Sequence, residues 1–148
     1  MDIYQCPECN EHYDYYQYCQ PCNSGHFRDN FKNWTSGEEH IDKLIQESQL
    51  NARFKSKFLE WIEYSNLENI EHVAEGGFGN VYKAIWKDGP ITIKKNEITE
   101  VYSSWDVEKS KWIREGETVV AVKKYKSATN MSSEFLNEVK KTESDKCK

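Results

Sequence analysis

Four cysteines in two close pairs are the first residues in this chain with the spacing for chemistry. Cys6-Pro7-Glu8-Cys9 and Cys19-Gln20-Pro21-Cys22 each set two residues between thiols, and nine residues separate the pairs. One tight turn with that spacing aims both sulfurs at a single point. Two such turns brought together supply four thiolates around a tetrahedral Zn²⁺. Pro7 and Pro21 restrict φ inside the turns and make them less costly to hold. Four thiolates leave no open coordination position, so the metal would be structural, letting a short segment fold without a sizeable core. Two other readings stay open. A CxxC can be a redox pair, although the βαβ setting of that role is absent here, or the quartet is a site that no longer binds metal. His12 and His26 could each replace a cysteine but are unnecessary beside four thiols, and Cys147 sits in a polar tail as a spectator. Tyr13, Tyr15, Tyr16 and Tyr18 lie between the pairs, where they could wrap the metal.

A second constellation lies further along. Ala74-Glu75-Gly76-Gly77-Phe78-Gly79-Asn80-Val81-Tyr82-Lys83 is glycine-rich, and glycines let a hairpin backbone pass close over phosphate oxygens where a side chain would collide. Alone, such a cluster is equally an ordinary hairpin turn. Val120-Ala121-Val122-Lys123 then ends an apolar strand in a lysine, and Phe135-Leu136-Asn137-Glu138-Val139 sets a carboxylate on the inward side of a helix. Most lysines and glutamates are exposed. These two are embedded in apolar runs, where an unpaired charge would cost several kcal/mol. Pairing Lys123 with Glu138 removes that cost and aims the ammonium at nucleotide phosphates.

The elements that must hold these groups follow from pattern. Residues 35–66 read as helical: Ser36 as N-cap with Glu39 three residues on makes a capping box, Ile41, Leu44, Ile45 and Leu50 give one apolar face, and a second helix is expected through Phe54, Phe58, Leu59 and Ile62. From about Leu67 the texture turns to β, with strands on either side of the glycine run. Asp88-Gly89-Pro90 is a turn signal. Residues 91–118, with Tyr102, Trp105, Trp112 and Ile113 around a polar tip, read as an extra hairpin. Val119–Val122 is a short buried strand, Met131–Lys141 an amphipathic helix, and residues 142–148 a polar tail. The expected class is α+β, a small zinc-ribbon-like segment with four cysteine ligands and helices followed by a sheet.

Charge limits the partners. Residues 1–79 carry 6 basic against 14 acidic side chains, hostile to a phosphate backbone, so nucleic acid is not expected. No stretch nears the roughly 20 apolar residues that cross a bilayer, and the first residues lack a signal peptide's basic and apolar regions. No membrane partner and a cytoplasmic setting are expected, where close cysteine pairs bind metal more often than they form disulfides.

The ordered glycine run, strand lysine and helix glutamate resemble the protein kinase family. The resemblance implies that Gly76, Gly77 and Gly79 cover the phosphates of ATP and that Val81 and Ala121 pack on the adenine. It further implies that Lys123 meets the α and β phosphates, held by Glu138 on helix αC. The cysteine pairs, Asn33-Trp34-Thr35-Ser36-Gly37, Ile41–Gln46, Glu60–Tyr64 and Ala84–Pro90, in that order, look like the expanded tyrosine-kinase-like kinases of arbuscular mycorrhizal fungi. On that likeness the chain divides into a cysteine-pair module at 1–34, a helical linker at 35–66, a partial kinase small lobe (twisted antiparallel sheet plus αC) at 67–141 and the tail. Family activity is phosphorylation of protein Ser/Thr or Tyr by ATP. Two departures stand out. Ala74 holds the usual first glycine position, and the interval from Gly79 to Lys123 is long, with the hairpin at 91–118 expected to project from the sheet edge. The sequence has no His-Arg-Asp, Asp-Phe-Gly or Ala-Pro-Glu segment, which phosphoryl transfer needs. The expectation is a truncated kinase fragment, inactive alone, with weak or vestigial ATP binding and a protein partner over its uncovered small-lobe face. The alternatives are a non-catalytic zinc-stapled interaction or regulatory protein, and a pseudokinase completed by another chain.

Overall fold

The computed structural model describes residues 5–11, 18–54, 57–98 and 100–125. Two compact units divide them: residues up to Trp61 together with Ile91–Arg114, and Ile62–Pro90 together with the residues from Glu115 onward.

In the first unit Cys19 is the N-cap of helix α1 (Gln20–Asn30). Pro21 is tolerated in its first turn because that turn's N–H groups have no helical acceptor. Helix α2 (Glu39–Asn51) lies beside α1. Gln20 Nε2 and Ser24 Oγ both donate to the Leu50 carbonyl, at 2.8 and 3.1 Å, satisfying an acceptor that the end of α2 would otherwise leave orphaned. Tyr18, Phe27, Ala52, Phe58 and Ile91 form the core, with Phe31 and Trp112 packed against it.

Two expectations for residues 35–66 change. The N-cap of α2 is Glu38, not Ser36. Thr35 Oγ1, Ser36 Oγ and the Ser36 N–H all donate to the Asp42 carboxylate instead, so the polar clasp spans the entry to the helix from one turn further in. The described residues from Phe54 to Ile62 form no helix. Their backbone is claimed by α2 side chains: Ser48 Oγ accepts the Leu59 N–H at 2.9 Å and Gln49 Nε2 donates to the Leu59 carbonyl at 2.8 Å.

The inserted segment makes two short hairpins. Strand β3 (Lys94–Lys95) pairs with β4 (Tyr102–Ser103), and β5 (Trp105–Asp106) pairs with β6 (Lys111–Trp112). Its two ends meet in a bridge between Ile91 and Arg114. Rather than standing apart, the segment packs within the first unit.

The second unit is an antiparallel sheet in the order β1 (Leu67–Gly76), β2 (Gly79–Trp86), β7 (Thr118–Tyr125). The β2–β7 register runs unbroken from Gly79↔Tyr125 to Trp86↔Thr118. Directly paired residues share a face. Val81, Lys83, Ile85, Val119, Ala121 and Lys123 therefore line one face, and Ala84 and Trp86, both buried, mark the other. Strand β1 carries two register shifts and is exposed along nearly its whole length.

Helices with an antiparallel sheet agree with the α+β class. The expected helix Met131–Lys141 and the tail lie outside the described residues. Among the described residues no helix is long and apolar enough to cross a membrane.

Candidate functional site

The two cysteine pairs converge, by different local means. In the first, the Glu8 N–H points at Cys6 Sγ at 3.5 Å, the Asn10 N–H donates to the Cys6 carbonyl, and Asn10 takes φ +62° to turn the chain back. Asparagine is among the few non-glycine residues that accept this region readily. In the second pair a helix start replaces a turn: Cys19 caps α1 and Cys22 lies in its first turn, where the Asn23 N–H donates to the Cys19 carbonyl at 3.0 Å. The positive end of the helix dipole favours thiolate there.

All four sulfurs lie within 4.8 Å of one another, with Cys6 to Cys22 at 3.9 Å and Cys9 to Cys19 at 3.8 Å. Four sulfurs at about 2.3 Å from a tetrahedral Zn²⁺ stand about 3.8 Å apart, whereas a disulfide needs about 2.05 Å. The cluster therefore has the dimensions of a metal site, and it could hold an ion such as zinc. Cys6 is buried and Cys9 exposed. Without a cation Cys19 and Cys22 resist ionising. Burial pushes Cys19 up to about 11, against a hydrogen bond from the Cys22 N–H, and burial with the neighbouring Cys19 sulfur pushes Cys22 up further. Cys9 is instead held below the usual thiol range, chiefly by the Glu11 N–H. A dication is the compensation such a set lacks.

Around the cluster lies a group that sequence reasoning missed. Glu8, between the first two cysteines, bonds His26 Nε2 at 2.5 Å. The His26 ring stacks on Trp105 with centroids 3.6 Å apart and planes at 8°, and it meets Trp112 edge-on at 5.8 Å. His26 thus links the cysteine cluster to the 91–114 segment rather than standing in for a cysteine. Its one sequence signal was position: four residues after Cys22, on the same face of α1. His12, Tyr13, Tyr15 and Tyr16 lie outside the described residues.

In the second unit the glycine run forms the β1–β2 hairpin, with Gly76 paired to Gly79 and Gly77-Phe78 as the turn. At Gly79, φ is +144° and a Cβ would stand 2.0 Å from the Lys124 carbonyl oxygen, so only glycine fits. An added Cβ at Gly77 would meet open space and one at Gly76 only an ordinary contact with the Gly79 carbonyl oxygen at 4.0 Å, which leaves that backbone largely clear. Lys123 is exposed, stands opposite Val81 on β2, and with Gly76, Gly77, Gly79 and Val81 lines a hollow of about 160 Å³. Ala121 lies two residues back along β7 on the same face. The strand expected to be buried is therefore half open, with Val119 62% exposed. Glu138 lies outside the described residues. No family model, curated protein or solved structure matches this chain.

Proposed function

We propose that this chain is a zinc-stapled segment of a protein kinase small lobe, with the elements that grip ATP and without those that transfer phosphate. The supporting observation is the pairing of Val81 with Lys123 in unbroken register beside the glycine hairpin. That register sets an apolar floor of Val81 and Ala121 next to a cation, under a hairpin whose Gly76 and Gly77 leave room for phosphate oxygens. In this reading Gly76, Gly77 and Gly79 cover the phosphates, Lys123 meets them, and Glu138 orients Lys123. Cys6, Cys9, Cys19 and Cys22 hold one structural Zn²⁺. The sequence contains no His-Arg-Asp or Asp-Phe-Gly segment, so these residues contribute nucleotide binding to a reaction whose family form is phosphorylation of protein Ser/Thr or Tyr.

A specific observation favours a second reading, a non-catalytic interaction protein. Phe78 in the hairpin turn and Val119 and Val73 on the strands are 77%, 62% and 61% exposed, large apolar side chains that a protein partner would cover. One set of measurements separates the two. Purified protein should carry about one Zn per chain and lose it in Cys6→Ser and Cys19→Ser. A fluorescent ATP analogue should bind the parent protein and lose at least about tenfold in affinity in Lys123→Met. Binding indifferent to Lys123→Met rejects the nucleotide reading and leaves the interaction reading standing.

A further inference from the structure

The insertion at 91–114 interrupts the sequence between β2 and β7, so its order would ordinarily depend on that sheet. It also has partners within the first unit. At its root, one carboxylate takes both ends: Glu60 Oε2 accepts the Ile91 N–H at 3.0 Å and Glu60 Oε1 accepts Arg114 Nη1 at 2.8 Å. Further out, Trp105 and Trp112 are cross-strand partners meeting edge to face at 5.0 Å. Phe27 of α1 packs on Trp112 at 4.5 Å, and His26 lies flat on Trp105.

We propose that the metal centre governs the order of the inserted hairpins, through a relay of Glu8, His26 and Trp105. The inference rests on the zinc reading of the four cysteines. Glu8 occupies the middle of the first CxxC turn, and that turn is a short loop held by two backbone bonds to Cys6 and by its thiols. Metal removal leaves such a loop little reason to keep one shape. Once it relaxes, the Glu8 carboxylate no longer fixes the His26 ring. The ring's flat contact with Trp105 is then one rotamer among several. Two-residue strands cannot hold a hairpin alone, so β4, β5 and β6 depend on this platform. Loss should therefore be graded: residues 101–113 respond to the metal, while the root at Ile91 and Arg114 stays with Glu60 and the Phe58 core.

Hydrogen exchange read by mass spectrometry on the full chain tests this, with zinc content measured on the same samples. Removing zinc with a chelator should speed exchange across residues 101–113 by about tenfold or more and leave β1, β2 and β7 within about twofold. His26→Ala should produce the same acceleration while retaining about one zinc per chain. If His26→Ala does not fold, Trp105→Leu carries that arm from the hairpin side. A hairpin segment that stays protected after zinc has left overturns the inference, and so does one undisturbed by both substitutions in zinc-loaded protein. A chain that never holds zinc defeats the metal reading and this inference with it. Zinc held while the hairpins ignore it defeats this inference alone.

Discussion

Gly79 shows what one missing methyl can decide. Its φ of +144° is closed to L side chains in practice, and the Lys124 carbonyl oxygen would stand 2.0 Å from a new Cβ. That oxygen is main chain, on the neighbouring strand, and cannot swing away. A strained conformation of this kind costs about 1–3 kcal/mol before any clash is counted. Gly79→Ala should therefore destabilise the β1–β2–β7 sheet by at least about 2 kcal/mol in urea denaturation. Gly77→Ala, where a Cβ meets nothing, should cost under about 1 kcal/mol. Equal costs at the two positions would mean that the β2–β7 register differs from the one described. Two glycines that look alike in sequence thus have different duties: Gly79 is required by the sheet itself, and Gly77 by nothing in the fold.

At the level of elements, the insertion is fastened by Glu60, a side chain only 13% exposed that serves a backbone N–H and a guanidinium at once. Charge-assisted bonds of this shielded kind contribute roughly 1.5–3 kcal/mol. Glu60→Ala should lower the stability of the first unit by about 2 kcal/mol. Glu60→Gln, which keeps an acceptor, should lose about half of that by the same denaturation measurement. An unchanged Glu60→Ala variant would show that the insertion root is held by the Ile91 packing alone. This clamp also marks where sequence reading stopped. The cysteine quartet was legible because a CxxC is a chelate whose geometry is nearly complete within four residues. The glycine hairpin and its flanking strands were legible from alternation and turn chemistry. Pairings across long intervals were not: nothing in Glu60 announces Arg114, and nothing in His26 announces Trp105. The second expected helix failed for a similar reason, since Ser48 and Gln49 take the Leu59 backbone groups from a distance that periodicity does not see. Lys123 was placed at the end of a buried strand because its neighbours are apolar, and its exposure follows from a sheet face that the described residues leave open.

For the molecule as a whole, pH should act chiefly through the cysteine cluster. In the metal-free fold the Cys19 thiol titrates at about 11 against an ordinary 9.0, and Cys22 is raised as well. At pH 7 both therefore hold their protons. Zinc binds thiolates, so its entry must displace at least those two protons. Mass action then gives an affinity that falls at least about 100-fold for each unit of acidification near neutrality. The sign reverses without metal. A folded-state pKa raised above the unfolded value stabilises the fold below 9.0 and loses that contribution as pH climbs from 9.0 to about 11. Zinc-loaded protein should thus weaken toward acid, and metal-free protein toward alkali. Competition with a chromophoric chelator at about pH 6.5 and about pH 7.5 measures the first slope, and chelated protein denatured across the alkaline range measures the second. A tenfold or smaller change in zinc affinity between the two acid-side points would mean that at most one proton leaves on binding. The four sulfurs would then not be acting as one tetrahedral set, and the zinc reading of the cluster would fall.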